Sequence, residues 1–503
     1  MLDASWAHFK SGTDIRGVAL DGVAVEPLDL TDEAVERMAA GFAAWLADRA
    51  QKPAAALTIS VGRDSRLSGP RLRDAVVRSL TRYGVSVLDC GLASTPAMFM
   101  TTVDLGCDGA VQLTASHHPY HRNGLKFFVP SGGLEGADIV AILQRAQDQD
   151  FPTAAAGTVR EVAYMEPYAA RLRRLICEGV RAEDFDHPLR GFHIVVDAGN
   201  GAGGFYATQV LEPLGADITG SQFLEPDGRF PNHIPNPENE EAMASVCAAT
   251  VASGADLGVI FDTDVDRAGC VGADGREINR NRLVALAAAI ALENAPGGTV
   301  VTDSVTSSGI KTFIEQTLGG HHCRFKRGYK NVIDEAIRLN RGGICAPLAI
   351  ETSGHAALQE NYFLDDGAYL ITKIIIKAAQ LRQQGRRLED LIAGLAEPAE
   401  GKELRFSIRE ADFKSYGLQV LKELEAYARE KGWDVADDSR EGVRVSIGDG
   451  WFLLRLSVHD PVMPLNIESD HTGGCREIAA QLAEFLSGYS GLDASQLTAY
   501  LAQ

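Results

Sequence analysis

The chain has 503 residues, of which 48 are lysine or arginine and 68 are aspartate or glutamate, giving a formal net charge of −20. This length is too great for one hydrophobic core and predicts three or four domains, at about 100 to 200 residues per domain. The negative charge argues against a nucleic-acid backbone or an anionic membrane as a partner, because both require a broad basic surface.

The first four residues, M-L-D-A, show no secretory signal, and the longest apolar run, residues 283–292, is too short to span a bilayer. We therefore expect a soluble, cytoplasmic protein. The 8 cysteines are scattered singly, without C-x-x-C spacing. We expect them to be reduced and mostly buried.

The first 150 or so residues alternate between helical and strand patterns. Thr31 begins an acidic helix start, and apolar residues follow at helical spacing. Strands are predicted at 57–61 and 85–88, each followed by a polar or glycine-bearing turn. This alternation is typical of a mostly parallel sheet with helices on its faces.

The same pattern begins again twice and then changes. A helix around 168–176 and a strand entering a glycine-rich turn at 193–201 indicate a second α/β unit, and 299–303 indicates a third. The proline-punctuated stretch 225–237 is predicted to be an irregular loop. From about residue 400 an antiparallel hairpin, 443–456, and a terminal helix predict an α+β unit.

A serine stands in an unusually polar turn after the apolar strand 110–113. Residues 114–126 read T-A-S-H-H-P-Y-H-R-N-G-L-K, so Ser116 is followed by two histidines and by Lys126. The proline and the N-G pair predict turns that leave Ser116 exposed at the carboxyl end of a strand, where open α/β sheets bind ligands. This is a candidate nucleophile. The alternative is a surface turn with incidental histidines.

A second cluster consists of carboxylates. The apolar strand 257–261 leads directly to Asp262, Asp264 and Asp266, followed by Arg267. Three oxygen ligands from one loop suit a hard divalent cation, and a site that leaves other positions to water and phosphate favours magnesium over calcium. The simpler alternative is a solvated acidic turn.

Two known motifs also share this spacing. An EF-hand is excluded, because Arg267 stands where that loop needs glycine and Ala273 stands where it needs glutamate. A haloacid-dehalogenase phosphatase would use Asp262 as nucleophile and Asp264 as acid, and the motif alone leaves this interpretation open. Ser116, which that chemistry does not need, and the position of the motif deep in the chain argue against it.

Two loops carry groups suited to a sugar. Glu351, Ser353 and His355 follow an apolar run that ends at residue 350, and their side chains can bracket vicinal hydroxyls. Residues 326–330, K-R-G-Y-K, place three cations around a glycine. That segment is either an anion contact or a solvated charged turn.

Further cations suit a phosphate. Arg455, Ser457 and His459 follow the C-terminal hairpin, and arginine gives bidentate donation to phosphate oxygens. Arg16, Arg63 and Arg66 are additional candidates, although each taken alone is more typical of an ordinary surface charge.

Taken in order, these loops resemble those of the α-D-phosphohexomutase superfamily. Its phosphomannomutase/phosphoglucomutase members carry an N-terminal T-D-x-R-G, a serine loop T-A-S-H-N-P…N-G-x-K, a metal loop D-x-D-x-D-R, then G-E-x-S-G-H and a C-terminal R-x-S-G-T-E-P. This chain has a counterpart to each between residues 13 and 461. The resemblance therefore covers essentially the whole chain.

The resemblance implies an α/β fold class with three related α/β domains with mixed sheets plus a C-terminal α+β domain around a central cleft. Each domain would contribute one loop. The implied domains are 1–158 with the phosphoserine loop, 159–297 with the metal-binding loop, 298–400 with the sugar-binding loop and 401–503 with the phosphate-binding loop.

The resemblance also implies a role for each candidate residue. Ser116 would carry the phosphoryl group and would ligate Mg²⁺ together with Asp262, Asp264 and Asp266. The remaining residues would surround the reacting phosphate (Arg16, His117, Lys126, Arg267), contact the rest of the substrate (Glu351, Ser353, His355, Lys330) and bind the non-reacting phosphate (Arg455, Ser457, His459).

The implied reaction interconverts the 1-phosphate and 6-phosphate of mannose or glucose through a phosphoserine and a 1,6-bisphosphate. Mg²⁺ would be the cofactor, glucose 1,6-bisphosphate or mannose 1,6-bisphosphate the activator, and the enzyme a monomer or homodimer. The alternatives are a phosphoglucosamine mutase or phosphopentomutase on the same fold, an aspartate-nucleophile phosphatase, and a non-catalytic sugar-phosphate-binding paralogue.

The chain departs from the family pattern at several positions. His118 replaces the usual asparagine, Thr263 and Val265 stand where glycines are frequent, and Ile350 replaces the glycine before Glu351. In the C-terminal loop, valine at position 458 replaces a glycine, so the backbone cannot easily form the same turn at positive φ. Phosphate binding there is expected to rely on His459 instead.

Overall fold

The computed structural model describes residues 2–23, 26–151, 156–457 and 460–502. The chain divides into two compact units, Met1–Leu283 with Ser353–Asp390 and Val284–Thr352 with Leu391–Gln503. Across the described ranges, no helix combines the length and the apolar character needed to cross a membrane.

Strands and helices alternate along most of the chain, as the sequence predicts. The strands are β1 (Lys10–Ser11), β2 (Asp14–Val18), β3 (Thr58–Arg63), β4 (Ser86–Leu92), β5 (Gly109–Leu113), β6 (Arg122–Val129), β7 (Gly132–Gly133), β8 (Val159–Glu161), β9 (Ile194–Asp197), β10 (Leu257–Phe261), β11 (Ala268–Gly272), β12 (Glu277–Ile278), β13 (Thr299–Thr302), β14 (His321–Arg324), β15 (Leu348–Ile350), β16 (Ala356–Leu358), β17 (Glu400–Ile408), β18 (Asp434–Val435), β19 (Val443–Ile447), β20 (Gly450–Leu454), β21 (Val462–Ser469) and β22 (Leu492–Asp493). The α-helices are α1 (Ala4–Ala7), α2 (Asp32–Ala50), α3 (Gly69–Arg82), α4 (Thr95–Asp104), α5 (Gly136–Asp148), α6 (Met165–Val180), α7 (Glu240–Ser253), α8 (Asn281–Asn294), α9 (Ser308–Thr312), α10 (Tyr329–Arg341), α11 (Gly367–Gln383), α12 (Phe413–Glu430), α13 (Gly474–Leu486) and α14 (Ser495–Ala502).

The first sheet has the strand order β1-β2-β6-β5-β3-β4-β8, with β7 beside β6. β3 runs parallel to β4 and β5, whereas β6 is antiparallel to β5 and β2. The sheet is therefore mixed. Because β5 and β6 are neighbours, the loop 114–121 between them connects adjacent strands.

The helical pattern after Thr31 is confirmed by α2. The Thr31 hydroxyl caps this helix by accepting a hydrogen bond from the amide of Ala34 at 3.2 Å. Val35, Met38 and Phe42 are buried, and the Phe42 ring lies 4.5 Å from that of Phe127 on β6. This apolar face holds α2 against the first sheet.

The second sheet, also in the first unit, has the order β12-β11-β10-β9. β10 is parallel to β9 and antiparallel to β11, with Phe261 paired to Ala268. The turn 262–267 between β10 and β11 is the predicted metal loop. It therefore leaves the end of a buried strand, as the sequence predicts.

The second unit contains a parallel set of three strands, β14-β13-β15, and an antiparallel six-stranded sheet, β18-β19-β20-β21-β17-β22. The predicted hairpin is confirmed by β19 and β20, which pair Val443 with Leu454 and Ile447 with Gly450. The three α/β domains and the C-terminal α+β domain agree with the expected fold class. The boundaries given for the four domains stay predictions.

One local expectation needs adjustment. The apolar run 344–350 becomes a strand only from Leu348, and Ile344 and Cys345 are exposed in the irregular segment before it. The expectation of reduced, mostly buried cysteines is confirmed, since all eight are free thiols and five, Cys90, Cys107, Cys177, Cys270 and Cys475, are buried.

The two sheets of the second unit are joined by a buried arginine. The guanidinium of Arg444 on β19 lies 3.4 Å from the centroid of the Trp451 ring and donates to the carbonyl of Ser304 at 3.2 Å. Trp451 in turn packs with Val305 and Leu453. Cation–π stacking and burial together fix the loop after β13 against the C-terminal sheet.

In the first unit, Asp366 is a buried carboxylate that links α6 to α11. It accepts hydrogen bonds from the Tyr168 hydroxyl at 2.7 Å and from the amide of Tyr369 at 2.9 Å, the second as the N-cap of α11. Burial outweighs these hydrogen bonds and raises the pKa of Asp366 from 3.8 to about 6. Folding therefore favours the protonated form of this carboxyl relative to the unfolded chain.

We predict that Asp366→Asn stabilises the protein at neutral pH. Because the pKa is raised on folding, the contribution of the protonated acid is fully present below about pH 4 and is lost as the pH rises through about 6. The asparagine variant should therefore exceed the native chain by about 2 to 3 kcal/mol at pH 7.5 and match it near pH 4. Urea denaturation at several pH values measures this difference.

The matched control is Asp437→Asn, at a carboxylate whose side chain is 92% exposed. It should show no pH-dependent gain. A stability difference for Asp366→Asn that is constant from pH 4 to pH 7.5 would contradict the assignment.

Candidate active site

Ser116 lies in the loop between β5 and β6, in a left-handed backbone conformation with φ of 49°. Its amide donates to the Thr114 hydroxyl at 2.9 Å. The residue is only 8% exposed, so the expectation of an exposed serine is wrong. The loops that contact its side chain come from distant parts of the sequence and cover it.

The Ser116 hydroxyl contacts the metal loop. Arg267 donates from Nη2 to the serine Oγ at 2.9 Å, and Oγ donates to Asp262 Oδ2 at 3.2 Å. His117 Nδ1 is 3.4 Å from the same oxygen. The structure thus brings the candidate nucleophile and the acidic triplet together, although 146 residues separate Ser116 from Asp262.

The shape of the serine loop depends on Arg66, which is fully buried. Its guanidinium donates to the carbonyls of Ser116 at 2.5 Å, His118 at 2.7 Å, Pro119 at 2.8 Å and Arg122 at 2.9 Å. Its charge is paired with Asp64, with 3.2 Å between Nε and Oδ2. Arg66 is therefore not a surface charge, and its donors are used within the protein rather than offered to an anionic ligand. It holds the loop.

Both histidines after Ser116 favour the neutral form. His117 Nδ1 lies 2.5 Å from Arg267 Nη2, and since a guanidinium can only donate, this nitrogen must be the acceptor. Loss of hydration, followed by the charge of Arg267, lowers the pKa of His117. Although His117 is exposed as a residue, the contact of Nδ1 with Arg267 itself favours the neutral ring. Burial and then Arg16 lower the pKa of His118 to about 4.

The acidic triplet is buried. Asp262 and Asp264 are 0% exposed and Asp266 is 1% exposed, which rules out the solvated acidic turn. One oxygen from each lies within 4.8 Å of the others. In the described residues, Oδ1 of Asp264 and Oδ1 of Asp266 have no hydrogen-bond partner. Two orphaned anionic oxygens in so small a space fit a divalent cation.

Two cations offset part of this charge. Lys126 on β6 forms an ion pair with Asp266 and lies 3.6 Å from Asp264 Oδ2. Arg267 lies 3.3 Å from Asp262 Oδ2. Burial opposes ionisation of Asp266, but Lys126 holds the pKa of that carboxyl below its usual range. Burial and the neighbouring carboxylates raise the pKa of Asp262.

The metal loop contains a strained residue. Val265, one of the positions where the family pattern favours glycine, has φ of 68°, which is costly for a β-branched side chain. Its carbonyl accepts a hydrogen bond from Gly367 at 3.1 Å, and its amide donates to the carbonyl of Asp262 at 3.4 Å. Val265 therefore adopts the left-handed turn that a glycine would allow, with a backbone strain of about 1 to 3 kcal/mol.

The other predicted residues of the first unit are Arg16, Ser353 and His355. Arg16 on β2 donates to the carbonyl of Thr114 at 2.6 Å and pairs with Asp14 at 2.7 Å. Ser353 is buried. His355 Nδ1 lies 2.5 Å from Asp365 Oδ2, and with Asp266 this pair forms a second group able to hold a metal ion. Burial opposes protonation, but Asp365 and Asp266 raise the pKa of His355.

In the second unit, Glu351 accepts a hydrogen bond from the Gly328 amide at 2.6 Å, and Lys330 forms an ion pair with Asp334 on α10. Arg455 Nη1 lies 3.7 Å from Glu441 Oε1. The Ser457 hydroxyl accepts from the amide of Asp460 at 3.3 Å.

His459 and position 458 lie outside the described residues. That all these loops face one cleft stays a prediction.

The structure adds four residues that the sequence patterns did not single out as functional. Thr95, at the start of α4, donates its hydroxyl to Asp264. Asn236 accepts from Arg267 Nη1 at 3.3 Å and lies in the P-N-P segment of the irregular loop, the only visible signal for it. Asp365 pairs with His355, and Glu441 pairs with Arg455. No local sequence pattern marks either acidic residue as functional.

Known proteins share this arrangement along most of the chain. Sequence models for phosphoglucomutase/phosphomannomutase alpha/beta/alpha domains I, II and III match residues 10–153, 166–275 and 279–398. A phosphomannomutase/phosphoglucomutase of Pseudomonas putida is 32% identical over 82% of this chain and 83% of its own. A phosphoglucomutase of Neisseria gonorrhoeae is 32% identical over 91% of this chain and 92% of its own.

A solved structure agrees with these sequence matches. A phosphoglucomutase/phosphomannomutase family protein of Burkholderia thailandensis superposes with a TM-score of 0.79 at 28% identity, covering 97% of this chain and 98% of that one. The chain belongs to the phosphoglucomutase/phosphomannomutase family of the α-D-phosphohexomutase superfamily.

We predict that Arg66→Lys destabilises the serine loop. An ammonium has three donors and no planar fork, so it cannot serve four carbonyls and Asp64 together. Leaving buried acceptors and the Asp64 charge unpaired should cost about 3 kcal/mol in urea denaturation. Limited proteolysis should also show earlier cleavage within residues 114–122.

Arg63→Lys is the matched control, because the Arg63 guanidinium donates to one carbonyl, that of Asp64, at 3.1 Å and is half-buried. Equal losses in the two variants would contradict the loop-holding role of Arg66.

Proposed function

We propose that this phosphohexomutase interconverts the 1-phosphate and the 6-phosphate of mannose or glucose through phosphorylated Ser116 and a 1,6-bisphosphate. The supporting observation is the contact of the Ser116 hydroxyl with Asp262 of the acidic triplet at 3.2 Å and with Arg267 at 2.9 Å. A lone surface serine would have neither contact.

The contacts of the loop support this role for Ser116. In the first transfer the bond between phosphorus and the serine oxygen breaks as a bond to a sugar oxygen forms, and in the second the other phosphate leaves its sugar oxygen as the phosphoserine bond forms again. Positioning and charge neutralisation dominate both barriers. Arg66 fixes the backbone of the serine, and Arg267 lies against its oxygen. Neutral His117 accepts from Arg267 and keeps that guanidinium directed at the serine.

The residues present fit Mg²⁺ better than other common cations. Asp262, Asp264, Asp266 and an oxygen of the phosphorylated serine would hold it, since hard oxygen ligands with room for water favour this ion. When bound, Mg²⁺ neutralises charge on the transferring phosphoryl group. Lys126, between Asp264 and Asp266, already supplies one positive charge to the same loop.

The substrate roles rest on the second group of loops. Glu351, Ser353 and His355 are proposed to bind sugar hydroxyls, with Lys330 nearby in sequence. Arg455, Ser457 and His459 are proposed to bind the non-reacting phosphate. The net charge of −20 supports small sugar phosphates, rather than nucleic acid or membrane, as partners of a cytoplasmic monomer or homodimer.

We predict that Ser116→Ala lowers mutase turnover by about a thousandfold or more, because the acceptor of the phosphoryl group is removed. The assay couples glucose 1-phosphate, with trace glucose 1,6-bisphosphate and Mg²⁺, to detection of glucose 6-phosphate. Peptide mapping by mass after treatment with glucose 1,6-bisphosphate should place a phosphate on Ser116. Mannose and glucosamine phosphates, run side by side, give the preferred sugar.

Ser65→Ala is the control, since the Ser65 hydroxyl is buried without a hydrogen-bond partner in the described part of the chain. It should keep most of the activity. Full turnover by Ser116→Ala together with inactive Asp262→Asn would instead indicate an aspartate nucleophile.

We predict that Mg²⁺ raises the thermal unfolding midpoint and that Asp264→Asn removes this effect. A ligand that binds only the folded state stabilises it by mass action, and loss of one charged ligand weakens binding of a hard cation. Differential scanning fluorimetry with a Mg²⁺ titration measures both.

The control distinguishes the two metal groups that share Asp266. Asp365→Asn should keep the Mg²⁺-dependent shift, because Asp365 belongs only to the group with His355. Loss of the shift in Asp365→Asn but not in Asp264→Asn would place the ion with His355 instead.

A further inference from the structure

Glu441 is an acidic residue beside Arg455, one of the residues proposed to bind the non-reacting phosphate. It lies just before β19. Its Oε2 accepts from the Ser304 hydroxyl at 2.5 Å and from the backbone amide of Arg327 at 3.0 Å, while its Oε1 faces Arg455 Nη1 at 3.7 Å. All four residues belong to the second unit. Three separate segments therefore direct donors at one carboxylate.

This donor set is the kind that recognises a phosphate. A hydroxyl, a backbone amide and a guanidinium are the usual partners of phosphate oxygens. The amide of Gly328, next to Arg327, also faces a carboxylate, that of Glu351, at 2.6 Å. The backbone amides of two successive residues before α10 therefore each donate a hydrogen bond to a carboxylate of the protein itself.

Arg455 is incompletely satisfied in this arrangement. It is 8% exposed, and its Nε has no hydrogen-bond partner in the described residues. Its separation of 3.7 Å from Glu441 is too long for a hydrogen bond. A larger tetrahedral anion can reach donors that the planar carboxylate does not.

We propose that Glu441 is an internal stand-in for the non-reacting phosphate: its carboxylate occupies the Ser304, Arg327 and Arg455 donors and must be displaced when a sugar phosphate binds. This inference rests on the proposed function for the identity of the anion. Without a ligand, Glu441 keeps Arg455 from being a buried unpaired charge, which would be strongly destabilising.

The exchange gives a physical basis for selectivity. A dianionic phosphate can replace the carboxylate and keep every donor satisfied, whereas a neutral sugar hydroxyl would leave the Arg455 charge unpaired. Glu441 therefore rejects the unphosphorylated end of a sugar. Glu441 also lowers the affinity of the site for every anion, because its carboxylate must first be displaced from the donors.

A merely structural ion pair predicts the opposite sign. If Glu441 only supported Arg455, its removal would loosen the guanidinium and weaken phosphate binding. If it competes with phosphate, Glu441→Gln keeps an acceptor for Ser304 and Arg327 but removes the competing charge. Phosphate should then bind more tightly, since like charges close together cost several kcal/mol.

The experiment is calorimetric titration of the full chain with inorganic phosphate. Glu441→Gln and Glu441→Ala should each bind phosphate at least about tenfold more tightly than the native chain. The alanine variant guards against a local effect of the new amide. Unchanged or weaker binding by both variants would overturn the proposal.

Two controls locate the effect. Glu423→Gln removes a charge from α12, in the same unit, at a residue that accepts hydrogen bonds from Gln419 and Tyr489, and it should leave phosphate affinity within about twofold. Arg455→Ala alone should weaken phosphate binding at least about tenfold, because the guanidinium is the one charged donor of the set. Phosphate affinity that Arg455→Ala leaves unchanged would mean that phosphate binds elsewhere, and would also overturn the proposal.

The readout separates this inference from the proposed function, because phosphate titration needs no turnover. Failure of the native chain to isomerise hexose phosphates would contradict the proposed function while leaving the phosphate comparison intact. An active native enzyme whose Glu441 variants gain no affinity would contradict only the inference.

Discussion

The first unit depends on the cost of burying three carboxylates within one turn. Asp262, Asp264 and Asp266 follow a buried strand and are themselves buried, and unpaired buried charges cost several kcal/mol each. Lys126 and Arg267 offset part of that charge, and two oxygens remain without donors. Because Arg267 also donates to Ser116, the same guanidinium that neutralises the triplet positions the serine. The contacts of Arg267 that compensate the buried charge are therefore the same contacts that bring the serine loop to the metal loop.

Much of this was predictable because it is local. The apolar strand 257–261 predicted where the triplet would emerge, the turn residues predicted the hairpin of the last domain, and the motif order predicted the family. The burial of Ser116 and the role of Arg66 were not predictable. Arg66 reaches the serine loop because β3, β5 and β6 are neighbours in the first sheet, which brings residues 50 apart into contact. Ser116 is buried because the turn after β10 of the second sheet, 146 to 151 residues further along the chain, lies against it. No local pattern carries either neighbour relation.

The same limit applies to the second unit. Glu441 lies in a run of charged residues that, read alone, is typical of a solvated loop. It becomes a half-buried partner of Arg455 only because β19 and β20 place the two next to the loop after β13. Arg444, stacked on Trp451, fixes that placement. Buried guanidinium groups thus organise both units: Arg66 through carbonyls, Arg267 and Arg455 through carboxylates, and Arg444 through an aromatic face.

Backbone strain supports the view that these loops are shaped before any ligand arrives. Ser116 and Val265 both hold positive φ without being glycine, each at a cost of about 1 to 3 kcal/mol. Such conformations persist only where other contacts determine them, and here the contacts are specific: Arg66 binds the Ser116 carbonyl, and the Gly367 amide binds that of Val265. A glycine at 265 would adopt this turn more easily but would also let it relax. Valine makes the turn stiffer, because a buried branched side chain has few alternative rotamers. The flanking carboxylates, Asp264 and Asp266, therefore have less freedom to move.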